Sequence, residues 1–132
     1  AMKASNFQFT DPSLVSMKFC ENKDFIVEKG KEIEIQTELS IRNTEPIENE
    51  SVVELKINLG DDNKETPFSL EAVFAARFRW SSDVEASKVN MFLNQNAPAL
   101  LLSYARPIIS VVTNASRFPA YNIPFINFAD VK

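Results

Sequence analysis

Apolar and polar residues alternate through the first two-thirds of the chain. From Val15, the apolar Val15, Met17 and Phe19 are separated by Ser16, Lys18 and Cys20. Between Lys31 and Ile41 the apolar set is Ile33, Ile35, Leu39 and Ile41, with Glu32, Glu34, Gln36, Glu38 and Ser40 between them. Val53, Leu55, Ile57 and Leu59 repeat the pattern, and the longest run sets Phe68, Leu70, Ala72, Phe74, Ala76, Phe78 and Trp80 on one side. Successive strand side chains point to opposite faces, so each stretch reads as a half-buried β-strand. The polar connections RNTEPIENES and GDDNKETP are too short for a crossover helix, which makes strands two to four an antiparallel meander. The first strand, joined through ENKDFIVEKG, is expected at an edge. One face of such a sheet is dry and the other wet.

The period changes towards the C-terminus. Residues 81–96 read as a connector with a helical turn near Val84 to Leu93, and Pro98 is expected to open a helix, where its missing N–H is harmless. Along that helix Ser103, Arg106, Ser110 and Thr113/Asn114 recur at spacings of three and four as one narrow polar stripe. Everything else is apolar, from Leu100 to Ala115. A helix covering a sheet needs an apolar arc of roughly 100°. The wider arc here calls for a second partner besides the chain's own sheet. Pro107 is expected to remove one hydrogen bond and bend the axis. After Ser116, the segment RFPAYNIPFINF is held extended by Pro119 and Pro124 and displays Phe118, Tyr121, Phe125 and Phe128. The fold expected is α+β in a single domain spanning residues 1–132: a four-stranded antiparallel sheet with a long C-terminal helix packed on one face.

Composition narrows the function. A net charge of −4 with scattered Lys and Arg argues against nucleic acid, which needs basic residues gathered on one face. There is no His, Cys20 is the single cysteine and Gly30 and Gly60 are the only glycines. The usual general base, a thiolate metal cluster and a Gly-rich phosphate loop are all excluded. No apolar run reaches the roughly 18 residues of a membrane helix, and Met2-Lys3-Ala4-Ser5-Asn6 leads into no signal-peptide core, so the expectation is a cytoplasmic protein without stable membrane insertion. Glu32/Glu34, Glu48/Glu50, Arg77 and Arg79 fall at positions that solvent normally occupies. Cys20 has no His to activate it and reads as an inert thiol. No enzyme, metal or cofactor is expected. What remains is the apolar excess, too large for a monomer to expose, which points to oligomerisation or to binding of hydrophobic clients.

The stretch PALLLSYARPIISVVTNASRFPAYNIPFINF resembles the C-terminal signature of the SecB family of protein-export chaperones. The matching residues are Pro98, Tyr104, Ala105, Arg106, Ile109, Phe118, Pro119, Asn122, Asn127 and Phe128. PFSLEAVFAARFRW is similar to the family's fourth strand at Phe68, Glu71 and Phe78, with Ala75-Ala76 where small residues are common. The resemblance implies a homotetramer, two dimers joined through the long helices. It implies apolar grooves that hold unfolded polypeptides or preproteins and deliver them to the translocation ATPase SecA. On that basis Leu39, Ile41, Phe118, Tyr121, Phe125 and Phe128 are the candidate client-binding residues. Phe118 and Phe128 are the more structural of these, and Tyr121 and Phe125 the freer contacts. Leu101, Tyr104, Ile108, Ile109 and Val112 are the candidate oligomer interface, and Glu71 the candidate motor contact. The chain departs from the family pattern in four ways. Only Ala129-Asp130-Val131-Lys132 follows Phe128 where a lid helix is usual, and Pro107 stands where an acidic residue is usual. The first strand, SLVSMKFCEN, lacks the acidic residues that help export members meet their motor, and the stretch before the second strand has no match to an aromatic found in some members. A dedicated client such as an antitoxin is therefore the second expectation, and an interaction subunit without clients the third.

Overall fold

The computed structural model describes residues 6–30, 32–61 and 66–129. Four strands, β1 (Phe7–Glu21), β2 (Thr37–Asn43), β3 (Glu50–Gly60) and β4 (Phe68–Trp80), form one antiparallel sheet in the spatial order β1-β4-β3-β2. Strands β2, β3 and β4 are the predicted meander, and β1 returns to the outside of β4. Residues 62–65 of the β3–β4 turn and Lys31 at the start of the second alternating stretch lie outside the described residues. The dry face carries Val53, Leu55, Ile57 and Leu59 from β3 and Phe68, Leu70, Ala72, Phe74, Ala76 and Phe78 from β4, all buried.

Against this face lies a helix that is continuous from Ala86 to Asn114: α1 (Ala86–Met91), a π-turn (Phe92–Asn96) and α2 (Ala97–Asn114). Sequence reasoning expects Pro98 to open the helix. The helix instead arrives from upstream, and the Ala97 N–H bonds the Phe92 carbonyl in the wider π pattern just before Pro98 withdraws its donor. Both Phe92 and Leu93 are buried there, with Phe92 stacked on Phe7 at 3.9 Å and edge-on to Phe78 at 5.5 Å. The helix also runs unbroken through Pro107, which is exposed. Every fourth residue of α2, namely Ala97, Leu101, Ala105, Ile109 and Thr113, is fully buried. A four-residue step nearly closes the 3.6-residue turn, so these residues form one ridge. The alanines of that ridge share one core cluster with Ala72 and Ala76 of β4, which lets helix and sheet approach closely.

Three expectations are corrected. Thr113 does not belong to the wet stripe: it is buried, and its hydroxyl donates to the Ile109 carbonyl at 2.9 Å. Val15 does not share a face with Met17 and Phe19. The β1–β4 register skips between Leu14 and Ser16, so Leu14 opposes Phe74, Met17 opposes Ala72, and Val15 is left over and exposed. Such a bulge shifts the side-chain phase by one. β2 starts at Thr37, later than the alternation from Lys31 suggests. The Gly60 N–H, bonded to the Gln36 carbonyl at 2.9 Å, closes the ladder, because β3 ends there. Gly60 has a φ of +63°, and its Cα lies against the Phe68 carbonyl, so no side chain fits.

The polar face is laced with exposed pairs. Arg42 and Glu54 meet across β2 and β3 at 2.7 Å, and Glu50 receives both Arg77 at 3.0 Å and Arg79 at 3.4 Å. Glu50 is thus part of an ion-paired cluster and not a bare solvated carboxylate. Cys20 is exposed on this face, opposite Ser69 of β4.

Candidate binding surface

The chain beyond α2 is folded back on the subunit by polar contacts that apolar periodicity does not reveal. At the helix end the Ser116 hydroxyl donates to the Thr113 carbonyl at 2.6 Å and accepts the Phe118 N–H at 3.1 Å, which reverses the backbone. The Tyr121 N–H then bonds the buried Thr113 hydroxyl oxygen at 2.8 Å. Further on, the Arg106 Nε donates to the Ile123 carbonyl at 2.8 Å. Residues 121–123 therefore run back along α2, from its last turn towards its middle.

Arg117 fastens the start of this segment to the β1–β2 connection. Its guanidinium donates to the carbonyls of Asn22 at 3.0 Å and Phe25 at 2.9 Å and pairs with Glu21. It also covers the Phe118 ring at 4.3 Å, while Phe118 is buried edge-on to Phe25. Tyr121 lies edge-on to Phe68, and its hydroxyl reaches the Thr37 hydroxyl at 3.3 Å. Ile123 and Phe128 are buried in the core. Phe125 points the other way. It is 83% exposed, with the Arg106 guanidinium over its ring at 4.5 Å.

The six candidate client residues therefore divide. Phe118 and Phe128 are structural, buried beneath the surface, so neither offers its ring to a client as the structure stands. Tyr121 is half-buried and hydrogen-bonded. Phe125 is open. Leu39 and Ile41 lie half-buried on the dry side of β2, the same side as Thr37, where Tyr121 docks. Exposed Ile26, Val27 and Ile33 add apolar surface along the β1–β2 connection. Ile123, Arg106 and Arg117 hold the segment and were not singled out for that role by sequence; the arginines flanking an aromatic–proline run were the available signal.

The candidate oligomer residues divide as well. Leu101 and Ile109 are fully buried inside their own subunit, because the ridge they belong to faces the sheet. They are withdrawn as interface residues. Tyr104 packs edge-on to Phe74 and is half-buried, as are Ile108 and Val112. The outward side of α2 exposes Leu100, Pro107 and Val111, the last at 71%. Glu71 sits exposed on the polar face of β4, paired in register with Lys18 on one side and Asn58 on the other. Among the described residues no group of His, Cys, Asp and Glu side chains is placed to hold a metal ion, and no helix is long and apolar enough to cross a membrane.

Residues 14–131 match the family whose description is SecB, preprotein translocase subunit SecB. No curated protein sequence matches the chain. Among solved structures, the chain is similar to the Mycobacterium tuberculosis SecB-like chaperone Rv1957 in complex with a ChAD peptide from the antitoxin Rv1956 HigA1. That match has a TM-score of 0.68 at 13% identity and covers 91% of this chain and 90% of the other. It is also similar to a protein of unknown function from Streptococcus agalactiae, with a TM-score of 0.61 at 16% identity, covering 93% of this chain and 100% of the other. At such identities the likeness is one of fold.

Proposed function

The chain belongs to the SecB family, and from that premise we propose that it is a chaperone holding unfolded polypeptides against the apolar surface formed by Phe125, Tyr121 and the dry side of β2 at Leu39 and Ile41. The observation that carries this reading is Phe125. Its ring is presented to solvent by a segment that buried Phe118, Ile123 and Phe128 anchor on either side. A rigidly held aromatic buries a large area on a partner at little entropic expense, which suits a surface that accepts many sequences. Phe118 and Phe128 act from beneath, as supports.

Preproteins awaiting SecA are the first client class, and Glu71 on the polar face of β4 is then the motor contact. The Rv1957 complex, in which a SecB-like chaperone holds an antitoxin peptide, supports a second reading in which this chain serves one dedicated client. Reduced, carboxymethylated α-lactalbumin, which stays unfolded, separates the possibilities. Saturable binding to it in a titration followed by fluorescence anisotropy is expected of a general chaperone. Binding to a single antitoxin segment without binding to α-lactalbumin selects the dedicated reading, and binding to no unfolded chain overturns the chaperone reading. For the export branch, SecA binding should weaken in Glu71→Lys.

The outward side of α2 is the proposed oligomer interface, centred on Leu100, Pro107 and Val111 and flanked by Tyr104, Ile108 and Val112; the family resemblance makes the product a tetramer. A charge at an exposed position leaves the subunit folded but is desolvated when a neighbour covers it, at several kcal/mol. Val111→Asp should therefore lower the mass measured by light scattering to that of a smaller species with an unchanged circular dichroism spectrum. An equal mass for both proteins removes the helix from the interface.

A further inference from the structure

The polar face of the sheet carries its charges in two unlike groups. Strand register aligns Lys18, Glu71, Asn58 and Glu38 as one row across β1, β4, β3 and β2, with two carboxylates to one ammonium. Towards the β2–β3 turn the balance reverses. Arg42, Lys56, Arg77 and Arg79 stand there against Glu50 and Glu54, four cations to two carboxylates. The β1 residues in the same rows, Gln8, Thr10, Ser13 and Ser16, are uncharged. The other acids of the turn, Glu45 and Glu48, line a cleft with Trp80 and Leu93, which belong to the dry side.

Arg77 and Arg79 are the centre of the basic group, and Glu50 holds them in place. The turn before Glu50 is tight. Ile47 and Glu50 exchange both backbone bonds, at 3.0 and 3.1 Å, around Glu48 and Asn49, whose φ angles are +53° and +62°. Glu50 is thereby fixed opposite Arg79. Its Oε1 meets the Nε of Arg77 at 3.0 Å and the Nε of Arg79 at 3.4 Å. The carboxylate is the more sheltered partner, with its side chain 32% exposed against 47% for Arg77 and 59% for Arg79. One carboxylate therefore orients two guanidiniums and neutralises only one of them. Among the described residues their Nη groups meet no acceptor.

We propose that this end of the polar face docks an acidic segment of a partner polypeptide. A guanidinium presents its donors in one plane and matches a carboxylate with two parallel bonds, so Nη groups left without acceptors are sites for further carboxylates. Arg77 and Arg79 lie two residues apart on one strand, a repeat of about 7 Å, at which any extended segment also presents its alternate side chains. Asp or Glu at every second position therefore meets both arginines at once, with Arg42 and Lys56 beside them. Exposed ion pairs contribute little singly, so the attraction is a sum over the four cations and is sensitive to salt. The surface lies across the sheet from Leu39, Ile41 and α2. It does not depend on the chaperone reading, and a client and an acidic partner can be held together.

A fluorescein-labelled dodecapeptide alternating Glu and Ser, titrated with the intact protein and followed by anisotropy, tests this. Saturable binding is expected at about 20 mM salt and should weaken roughly tenfold or more at about 300 mM, as the screening length shrinks. Arg77→Gln combined with Arg79→Gln should weaken it roughly tenfold or more, with an unchanged circular dichroism spectrum because both side chains are exposed. Lys23→Gln combined with Lys29→Gln removes the same charge from the β1–β2 connection and should leave binding as it is. Phe125→Ser, on the client surface, should also leave it unchanged. Equal weakening in the two double variants means that net charge alone attracts the peptide, and weakening in Phe125→Ser means that the peptide is held as a client. Either result overturns the proposal, as does the lack of saturable binding. An oligothymidylate of equal charge that binds more tightly than the peptide makes this face a nucleic-acid surface and overturns it too.

Discussion

Replacing Ile109 with Asp leaves no folded chain. Ile109 is fully buried on the α2 ridge that faces the sheet, within the core cluster that also holds Leu101 and Phe74. Losing a buried isoleucine costs about 2–5 kcal/mol. An uncompensated carboxylate adds about 3–5 kcal/mol, since the core cluster offers it no cation. The sum approaches the roughly 5–15 kcal/mol that keeps a domain folded. Circular dichroism and a urea titration should show no cooperative transition. A native spectrum for the variant would mean that Ile109 faces outward and that α2 is rotated from its place here. Val111→Asp, two residues on but exposed, is the matching control for helix propensity.

Phe125→Ser should weaken binding of carboxymethylated α-lactalbumin by roughly tenfold or more, as expected when one anchor worth about 1–3 kcal/mol is lost. The fold should be indifferent to it. The ring is almost fully exposed, and Arg106, the cation above it, keeps its bond to the Ile123 carbonyl. Tyr121 is a poorer probe, although the sequence makes the two look equivalent. Its backbone caps the buried Thr113 hydroxyl, its own hydroxyl meets Thr37 and its ring packs on Phe68. Tyr121→Ser would mix lost contact with lost stability. Unchanged affinity in a well-folded Phe125→Ser protein would move the contact to the β2 side, at Leu39 and Ile41.

The two variants differ in how visible their positions are from sequence. Period-two alternation is local, and it marks the dry faces of β3 and β4 residue by residue, because the pleat allows no other arrangement. The helical spacing of three and four towards the C-terminus and the match through Tyr104, Arg106 and Phe118 to Phe128 were also legible, and with them the family. The side of α2 that faces the sheet was not. A helix apolar nearly all round carries no local mark that separates Leu101 and Ile109 from Leu100 and Val111, and only docking on the small residues of β4 decides it. Val15 was misplaced for a related reason, since a bulge appears only when β1 is laid against β4 and the register has to skip. Ile33 and Ile35 continue the β2 alternation, but β3 ends at Gly60, opposite Gln36, and β2 begins only at Thr37. Among the aromatics, Phe118 turns inward on Phe25 and Phe125 turns out beneath Arg106. Contacts across dozens of residues of chain settle that choice, and spacing along the chain does not contain it.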